Sequence, residues 1–427
     1  MKYEEYKDSG IEWIGEVPSH WEVRKIKTLS IVKRGASPRP IEDPKYFDEN
    51  GEYAWVRIAD VSNSERYLET TTQKLSKLGA SLSVKREPGD IFISIAGTVG
   101  KPIITHIKCC IHDGFVWFPF LKQNSEFLYY IFMSGQPYLG LGKMGTQLNL
   151  NTETIGDIKI PIPPLIEQQA IATYLDEKCG EINRAIDVQK KKIDLLNELK
   201  QTIITDAVTK GLDPNAPMKD SGVEWIGQVP RHWEVRKIRT LSIVKRGASP
   251  RPIEDPKYFD ENGEYAWVRI ADVSSSERYL EETTQKLSKL GASLSIKREP
   301  GDIFISIAGT VGKPIITHIK CCIHDGFVWF PYLKQNTEFL YYIFMSGQPY
   351  LGLGKMGTQL NLNTETIGDI KVPIPGLQEQ QNIVKFLDEE CTKIDAQISK
   401  ANRHIELLEE LKQSIITEAV TGKIKVC

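Results

Sequence analysis

The sequence is short of several things, and each shortage closes a class of function. No stretch approaches the ~20 consecutive apolar residues that a membrane-spanning helix needs, and the opening Met1-Lys2-Tyr3-Glu4-Glu5-Tyr6 lacks the apolar core of a secretion signal. A cytoplasmic protein without a membrane partner is the expectation. Cysteine is scarce, 7 among 427 residues; an odd, thinly spread set argues against a disulfide scaffold and for a reducing compartment. Net charge is nearly absent at −2, so the molecule as a whole does not announce a nucleic-acid partner. Any such role must sit in local patches.

Catalytic signatures are missing as well. Gly140-Leu141-Gly142-Lys143 falls short of a phosphate loop, because Met144 stands where a Ser or Thr would ligate magnesium. No dinucleotide fingerprint lies between a strand and a long helix. Ile162-Pro163-Pro164-Leu165 lacks the polar and aromatic flanks that an amino-methyltransferase places around a flipped base, and no acidic and lysine cluster suggests a nuclease. Together these absences favour a binding protein over an enzyme.

What is present is a globular composition, 41% hydrophobic and 26% charged, in a chain long enough for two domains or more. The chain is one unit written twice. Trp21 to Ile160 matches Trp233 to Val372 at a constant offset of 212 residues, with 7 differences in 140 positions: Lys27/Arg239, Asn63/Ser275, Thr70/Glu282, Val84/Ile296, Phe120/Tyr332, Ser125/Thr337 and Ile160/Val372. After that block the copies diverge at 21 of 44 positions between 166–209 and 378–421, yet a 4-3 spacing survives. Leu175, Cys179, Ile182, Ile186, Gln189, Ile193, Leu196, Lys200, Ile203 and Ala207 form the first series. Leu387, Cys391, Ile394, Ile398, Ala401, Ile405, Leu408, Lys412, Ile415 and Ala419 form the second, identical at nine of ten places. A preserved seam on a changing outer face predicts two long helices in a coiled coil, each opened by proline and closed near Gly211 or Gly422. Lys200 and Lys412 in the seam either fix register or snorkel out of it.

Chain order then constrains the architecture. Each helix leaves its own globular unit, and the first must deliver the chain to the second unit through the short linker after Lys210. An antiparallel pair satisfies both and gives the single chain an approximate two-fold symmetry. The expected fold is α+β: two near-identical mixed α/β domains, 1–165 and 223–377, joined by long helices at 166–210 and 378–422, with 211–222 as linker.

Within the globular unit, Tyr53 to Ile58, Asp90 to Ile95 and Phe115 to Phe118 read as strands, and Ser125 to Met133 as a buried helix capped by Asn124. His106, Cys109, Cys110 and His112, repeated as His318, Cys321, Cys322 and His324, invite a metal reading. Adjacent cysteines on a strand face opposite ways, however, and no second ligand pair follows at zinc-ribbon spacing, so strand packing is the better reading.

Polar loops next to glycine suit DNA better. Between Trp21 and Arg39 stand six basic residues, Arg24, Lys25, Lys27, Lys33, Arg34 and Arg39, against the single acid Glu22. Such a patch can neutralise phosphates, and arginine pairs bidentately with guanine. Gln147, Asn149 and Asn151 offer the amides that suit adenine. The candidate DNA contacts are Lys33, Arg34, Ser37, Arg39, Arg57, Thr98, Lys101, Lys143, Thr146, Gln147 and Asn149. Their repeats are Lys245, Arg246, Ser249, Arg251, Arg269, Thr310, Lys313, Lys355, Thr358, Gln359 and Asn361.

Several segments resemble the specificity subunit of type I restriction-modification systems. They are Ile14-Gly15-Glu16-Val17-Pro18-Ser19-His20-Trp21, Trp55-Val56-Arg57-Ile58-Ala59-Asp60-Val61, Gly89 to Gly100, and Ile160-Pro161-Ile162-Pro163-Pro164-Leu165-Ile166-Glu167-Gln168-Gln169 leading into the helix. Their recurrence in the second half extends the resemblance over nearly the whole chain. The resemblance implies two target-recognition domains on double-stranded DNA, each reading half of a split site, held apart by the helices. It implies two adenine methyltransferase subunits that use S-adenosylmethionine, and two translocating restriction subunits that use ATP and magnesium. No cofactor is expected on this chain itself. The family's two domains usually differ, whereas these are almost the same, so the two half-sites should be near-identical and inverted. A stand-alone regulator of an inverted operator and a protein-only scaffold stay open as alternatives at this point.

Overall fold

The computed structural model describes residues 2–141, 150–351, 353 and 362–426. It divides into two compact units, Met1–Lys190 with Asn402–Cys427, and Lys191–Ala401. Each contains one globular copy, the start of one long helix and the end of the other.

In the first unit two small sheets face each other. The five-stranded sheet has the order Lys33–Arg34, Phe115–Trp117, Ile91–Ser94, Pro102–Thr105, Tyr67–Leu68; the four-stranded sheet runs Gln73–Leu75, Tyr53–Val56, Cys109–Ile111, Val84–Arg86. Strand alternation sorts their side chains. Phe92 joins Ala54, Val56, Cys109, Ile111 and Phe115 in the core between the sheets. Its neighbours Ile91 and Ile93 point the other way, into a second core under the helix Ser125–Met133. That helix is capped by Asn124, whose side chain accepts the Phe127 N–H at 2.9 Å, and Phe127 to Phe132 are all buried. The predicted strands end sooner than expected: Ile58 already begins a short helix, Ile58–Asn63, whose first-turn Asp60 accepts the Arg57 N–H at 2.8 Å.

The long helices span Leu165–Lys210 and Leu377–Val420, so the first, at 46 residues, is about 69 Å long. In the first unit Ile171, Leu175 and Cys179 share a core with Ile416, Ala419 and Val420. In the second, Ile204, Ala207 and Val208 share one with Ile383, Val384, Leu387 and Cys391. Within each unit the start of one helix therefore packs on the end of the other, which is the antiparallel arrangement. The seam shifts at its end, where Ile204 and Ile416 are buried instead of Ile203 and Ile415. Ile193 and Ile405, expected in the core, are half-buried. Both seam lysines reach across: Lys200 Nζ lies 2.7 Å from Asp395, and Lys412 Nζ donates to Asn183 at 2.8 Å. No helix among the described residues is long and apolar enough to cross a membrane.

The Glu-Gln-Gln signature is where domain meets helix. Glu167 accepts the Trp21 indole N–H at 2.9 Å and pairs with His20 at 2.7 Å. Gln168, 1% exposed, accepts the Asn124 N–H at 2.9 Å and donates to Gln123 and to the Pro163 carbonyl, both at 2.8 Å. Gln169 accepts from the Asn124 amide at 2.7 Å. Gln380 repeats the Gln168 bonds with Asn336, Gln335 and Pro375.

Candidate DNA interface

The loop Lys33–Arg39 is built by close backbone approach. At Gly35 a side chain would begin 2.1 Å from the His112 carbonyl oxygen, so glycine alone lets the loop run against the neighbouring strand. The Gly35 N–H donates to Phe115 O at 2.9 Å, and that of Ala36 to Ile111 O at 3.1 Å. Ser83 Oγ donates to Ala36 O at 2.7 Å, and Tyr46 OH to Arg39 O at 3.0 Å. Arg39–Pro40 is a cis peptide bond, as is Arg251–Pro252. Lys33, Arg34 and Arg39 are exposed on this pinned backbone.

The expected patch of six cations does not stay whole. Lys25 and Lys27 both turn to Asp157, at 2.8 and 2.7 Å, and hold its carboxyl down to about 2. Arg24 donates to Thr28 O at 3.0 Å. Arg239 and Lys237 treat Asp369 in the same way. The cations left to the loop are Lys33, Arg34 and Arg39.

The loop from Ala96 to Lys101 comes to the same end of the domain. Ile95 N–H donates to Gly114 O at 2.8 Å, and Gly114 closes the turn that bonds to Lys33–Arg39. Thr98 is exposed and its hydroxyl is hydrogen-bonded to that of Ser62. Tyr138 OH donates to Gly100 O at 2.9 Å, which ties the turn Gln136–Tyr138 to that loop. The structure thus brings Lys33, Arg34, Ser37, Arg39 and Thr98 onto one rim, and Lys245, Arg246, Ser249, Arg251 and Thr310 onto its repeat. Lys143, Thr146, Gln147, Asn149, Lys355, Thr358, Gln359 and Asn361 lie outside the described residues.

Other candidates have structural partners. Arg57 bonds Thr72 and stands 3.6 Å from buried Asp60; Arg269 repeats this with Thr284 and Asp272. Lys101 donates to the carbonyls of Ser62, at 3.2 Å, and Ser64, closing the end of a helix, and burial lowers its pKa. Lys313 does the same with Ser274 and Ser276. Asn151 and Asn363 cap short helices, their side-chain oxygens accepting two N–H groups each at 2.9 Å.

The cysteine and histidine cluster is dispersed by strand geometry. Cys109 lies in the core between the sheets, while Cys110 faces Trp55, Leu75 and Ala80 on the other side. Burial pushes their thiols to about 12 and about 11. His106 stacks on Tyr67 with ring centres 4.0 Å apart. His112 accepts the Gly114 N–H on Nδ1 at 2.7 Å.

Two groups escaped sequence reasoning. Asp113 holds the basic loop through Ser37, at 3.0 Å, and Arg39, at 2.9 Å; its signal was the His112-Asp113-Gly114 turn between two strands. Arg66 is enclosed by Tyr67, Tyr129 and Tyr130 and pairs with Glu126 and with Asp176 of the long helix, fixing domain to helix. All of that cage but Tyr67 comes from residues 60 or more positions away, so no local pattern announces it.

A family model described as Type I restriction modification DNA specificity domain matches residues 18–198 and 230–407. The putative type I restriction enzyme MjaX specificity subunit of Methanocaldococcus jannaschii is 26% identical over 450 residues, covering 97% of this chain and 96% of that protein. The type I restriction enzyme EcoKI specificity subunit of Escherichia coli K12 is 22% identical over 444 residues, covering 96% and 90%. Among solved structures, a chain described with the complex assembly and conformational transition of the type I R-M system superposes with a TM-score of 0.75 at 16% identity, over 96% of this chain and 99% of that one. The HsdS subunit from Thermoanaerobacter tengcongensis gives 0.53 at 17%, over 96% and 98%; these two likenesses concern the fold. With the family's domain matched once in each half, the chain belongs to the type I restriction-modification DNA specificity family.

Proposed function

We propose that this chain is the sequence-reading subunit of a type I restriction-modification complex and that its two domains, 1–165 and 223–377, read one short word twice, in inverted orientation. The observation that carries this is the repeat. All the rim residues Lys33, Arg34, Ser37, Arg39 and Thr98 recur unchanged, and only 7 of 140 positions differ. Equal side chains on equal backbones present equal donors to a base edge. Chain order, with each long helix leaving its own domain, calls for an antiparallel pair and so for inverted words, and the proposed site is an interrupted palindrome as for a symmetric dimer.

The chain directs chemistry without performing it. Methyl transfer to adenine, and cleavage where restriction subunits are present, belong to partners that bring S-adenosylmethionine, ATP and magnesium. Two copies of one methyltransferase subunit fit the helices, because exposed leucines recur in step on both: Leu195 and Leu199 at 64% and 48% exposure, Leu407 and Leu411 at 46% and 48%. A regulator acting alone has no need of such repeated apolar positions, and the family likenesses lend it no support.

Mapping methylated adenines in DNA from cells carrying this chain and its methyltransferase tests the reading. Two copies of one inverted word around a fixed nonspecific spacer are expected. Two unrelated words, or a direct repeat, would falsify it.

A further inference from the structure

A rim that meets phosphates has little use for an acid, since a carboxylate repels them. Each copy nevertheless carries one at the centre of its loop cluster. Asp113 sits in the turn between the strands Cys109–Ile111 and Phe115–Trp117. Its Oδ1 accepts the Ser37 hydroxyl at 3.0 Å, its Oδ2 lies 2.9 Å from Arg39 Nη2, and its backbone carbonyl accepts from Arg34 Nε. Asp325 repeats all three, with Ser249 at 3.2 Å, Arg251 at 2.8 Å and Arg246. One residue thus touches three of the four polar residues of the loop.

We propose that Asp113 and Asp325 are positioning residues for base readout, each carboxylate fixing the directions in which the serine hydroxyl and arginine guanidinium of its loop face the duplex. This rests on the reading under Proposed function.

The loop backbone is pinned without the carboxylate, by Gly35, Ala36 and Tyr46, and the turn that carries Asp113 is pinned by the His112–Gly114 bond. What the carboxylate adds is side-chain direction. Arg39 is 70% and Arg251 72% exposed, so a long side chain there samples many rotamers in water unless one end is held. Holding Nη2 leaves the remaining N–H donors of the planar fork free and aimed, which is the state that pairs bidentately with a guanine edge. The geometry also sets a sign. Without the carboxylate the arginine is free to swing onto a phosphate, so discrimination between bases falls while affinity for unrelated duplex holds or rises. A folding defect lowers both.

The test selects bound duplexes from a randomised pool with the purified full-length chain, and compares Asp113→Ala, Asp325→Ala, the double variant, Asp113→Asn and Arg39→Ala. With Asp113→Ala, discrimination at one position of one half-word should fall roughly tenfold or more. The other half-word, read by the unaltered copy, stays intact as the internal control, and binding to a scrambled duplex is equal or tighter. Asp113→Asn, which keeps an acceptor for Ser37 and loses the charge, should fall between. Equal loss on selected and scrambled duplexes, blurring of both half-words by one substitution, or an unchanged half-word overturns the proposal. An intact half-word in Arg39→Ala overturns it while leaving the functional reading in place, whereas a wild-type chain that selects no split word removes both.

Discussion

At the scale of single residues, titration and the few differences between copies give the sharpest expectations. Burial lowers the pKa of His112 below the ordinary histidine value, working against the nearby Asp113 carboxylate, with the charge of Arg34 adding to the lowering; burial does the same to His324 beside Asp325 and Arg246. The folded chain holds these rings neutral, so the unfolded chain binds more protons just below pH ~6.5. Stability from them is present above that pH, declines as pH falls toward the lowered folded value, and levels off below it. Thermal melts between pH 8 and 5 should show this decline, and His112→Gln with His324→Gln should flatten it; an unaltered slope assigns the effect elsewhere. Asp113 behaves differently. Its partial burial opposes the shift, but the Ser37 hydroxyl and Arg39 charge hold its pKa down, so its contribution is lost only as pH falls through a value below the usual carboxylate range, and the loop is intact across this interval. Among the seven differences, Asn63/Ser275 alone replaces an exposed side-chain amide. Asn63 is exposed beside the Ser62–Thr98 contact, whereas the Ser275 hydroxyl turns back onto Ala271 O and Asp272 O at 3.1 and 3.0 Å. Any small difference between half-words should vanish in Asn63→Ser, read by the same duplex selection.

At the scale of elements, the seam and the outer face of the long helices part company. Ile186 is 7% exposed in the seam, and Val188, two residues on, is 61% exposed. Ile186→Asp buries an unpaired charge and should cost at least ~2 kcal/mol, while Val188→Asp should stay within about 0.5 kcal/mol; urea denaturation compares them. Equal effects would mean that the helix does not pack as described. The exposed leucines give a second contrast. Replacing Leu195, Leu199, Leu407 and Leu411 with Ser should leave the melting temperature close to wild type and weaken capture of the methyltransferase subunit in co-purification. Retention of full capture would place the partner on other surfaces.

At the scale of the whole molecule, the proposed reading makes the long helices the spacer between the two words. Lys412 meets Asn183 in one unit and Lys200 meets Asp395 in the other, both pairs summing to 595 (183 + 412 and 200 + 395), so one antiparallel register holds in both. One heptad inserted after Lys192 and one after His404 adds about 10 Å of helix, close to three base pairs of duplex. Methylation mapping should then show a longer spacer with both words unchanged; altered words would mean that the helices also shape the reading loops.

The sequence by itself determined the large features, because they rest on periodicity and repetition. The seam of Leu175, Cys179 and Ile182 follows from 3.6 residues per turn, the burial of Phe127 to Phe132 from their apolar run, and the opposed faces of Cys109 and Cys110 from the two-residue period of a strand. Domain duplication needs no physics beyond counting. Tertiary structure alone decided which cations remain free for a ligand. Lys25 and Lys27 are spent on Asp157, 130 or more residues away in sequence, and Arg66 on Glu126 and Asp176, while Lys33, Arg34 and Arg39 stay at the surface, the two arginines bonded to Asp113. A linear count of charges sees six equal cations between Trp21 and Arg39. Coulombic and hydrogen-bonding partners are chosen by distance in space, and the chain brings an acid to each of them, or withholds it, only when the sheets have closed.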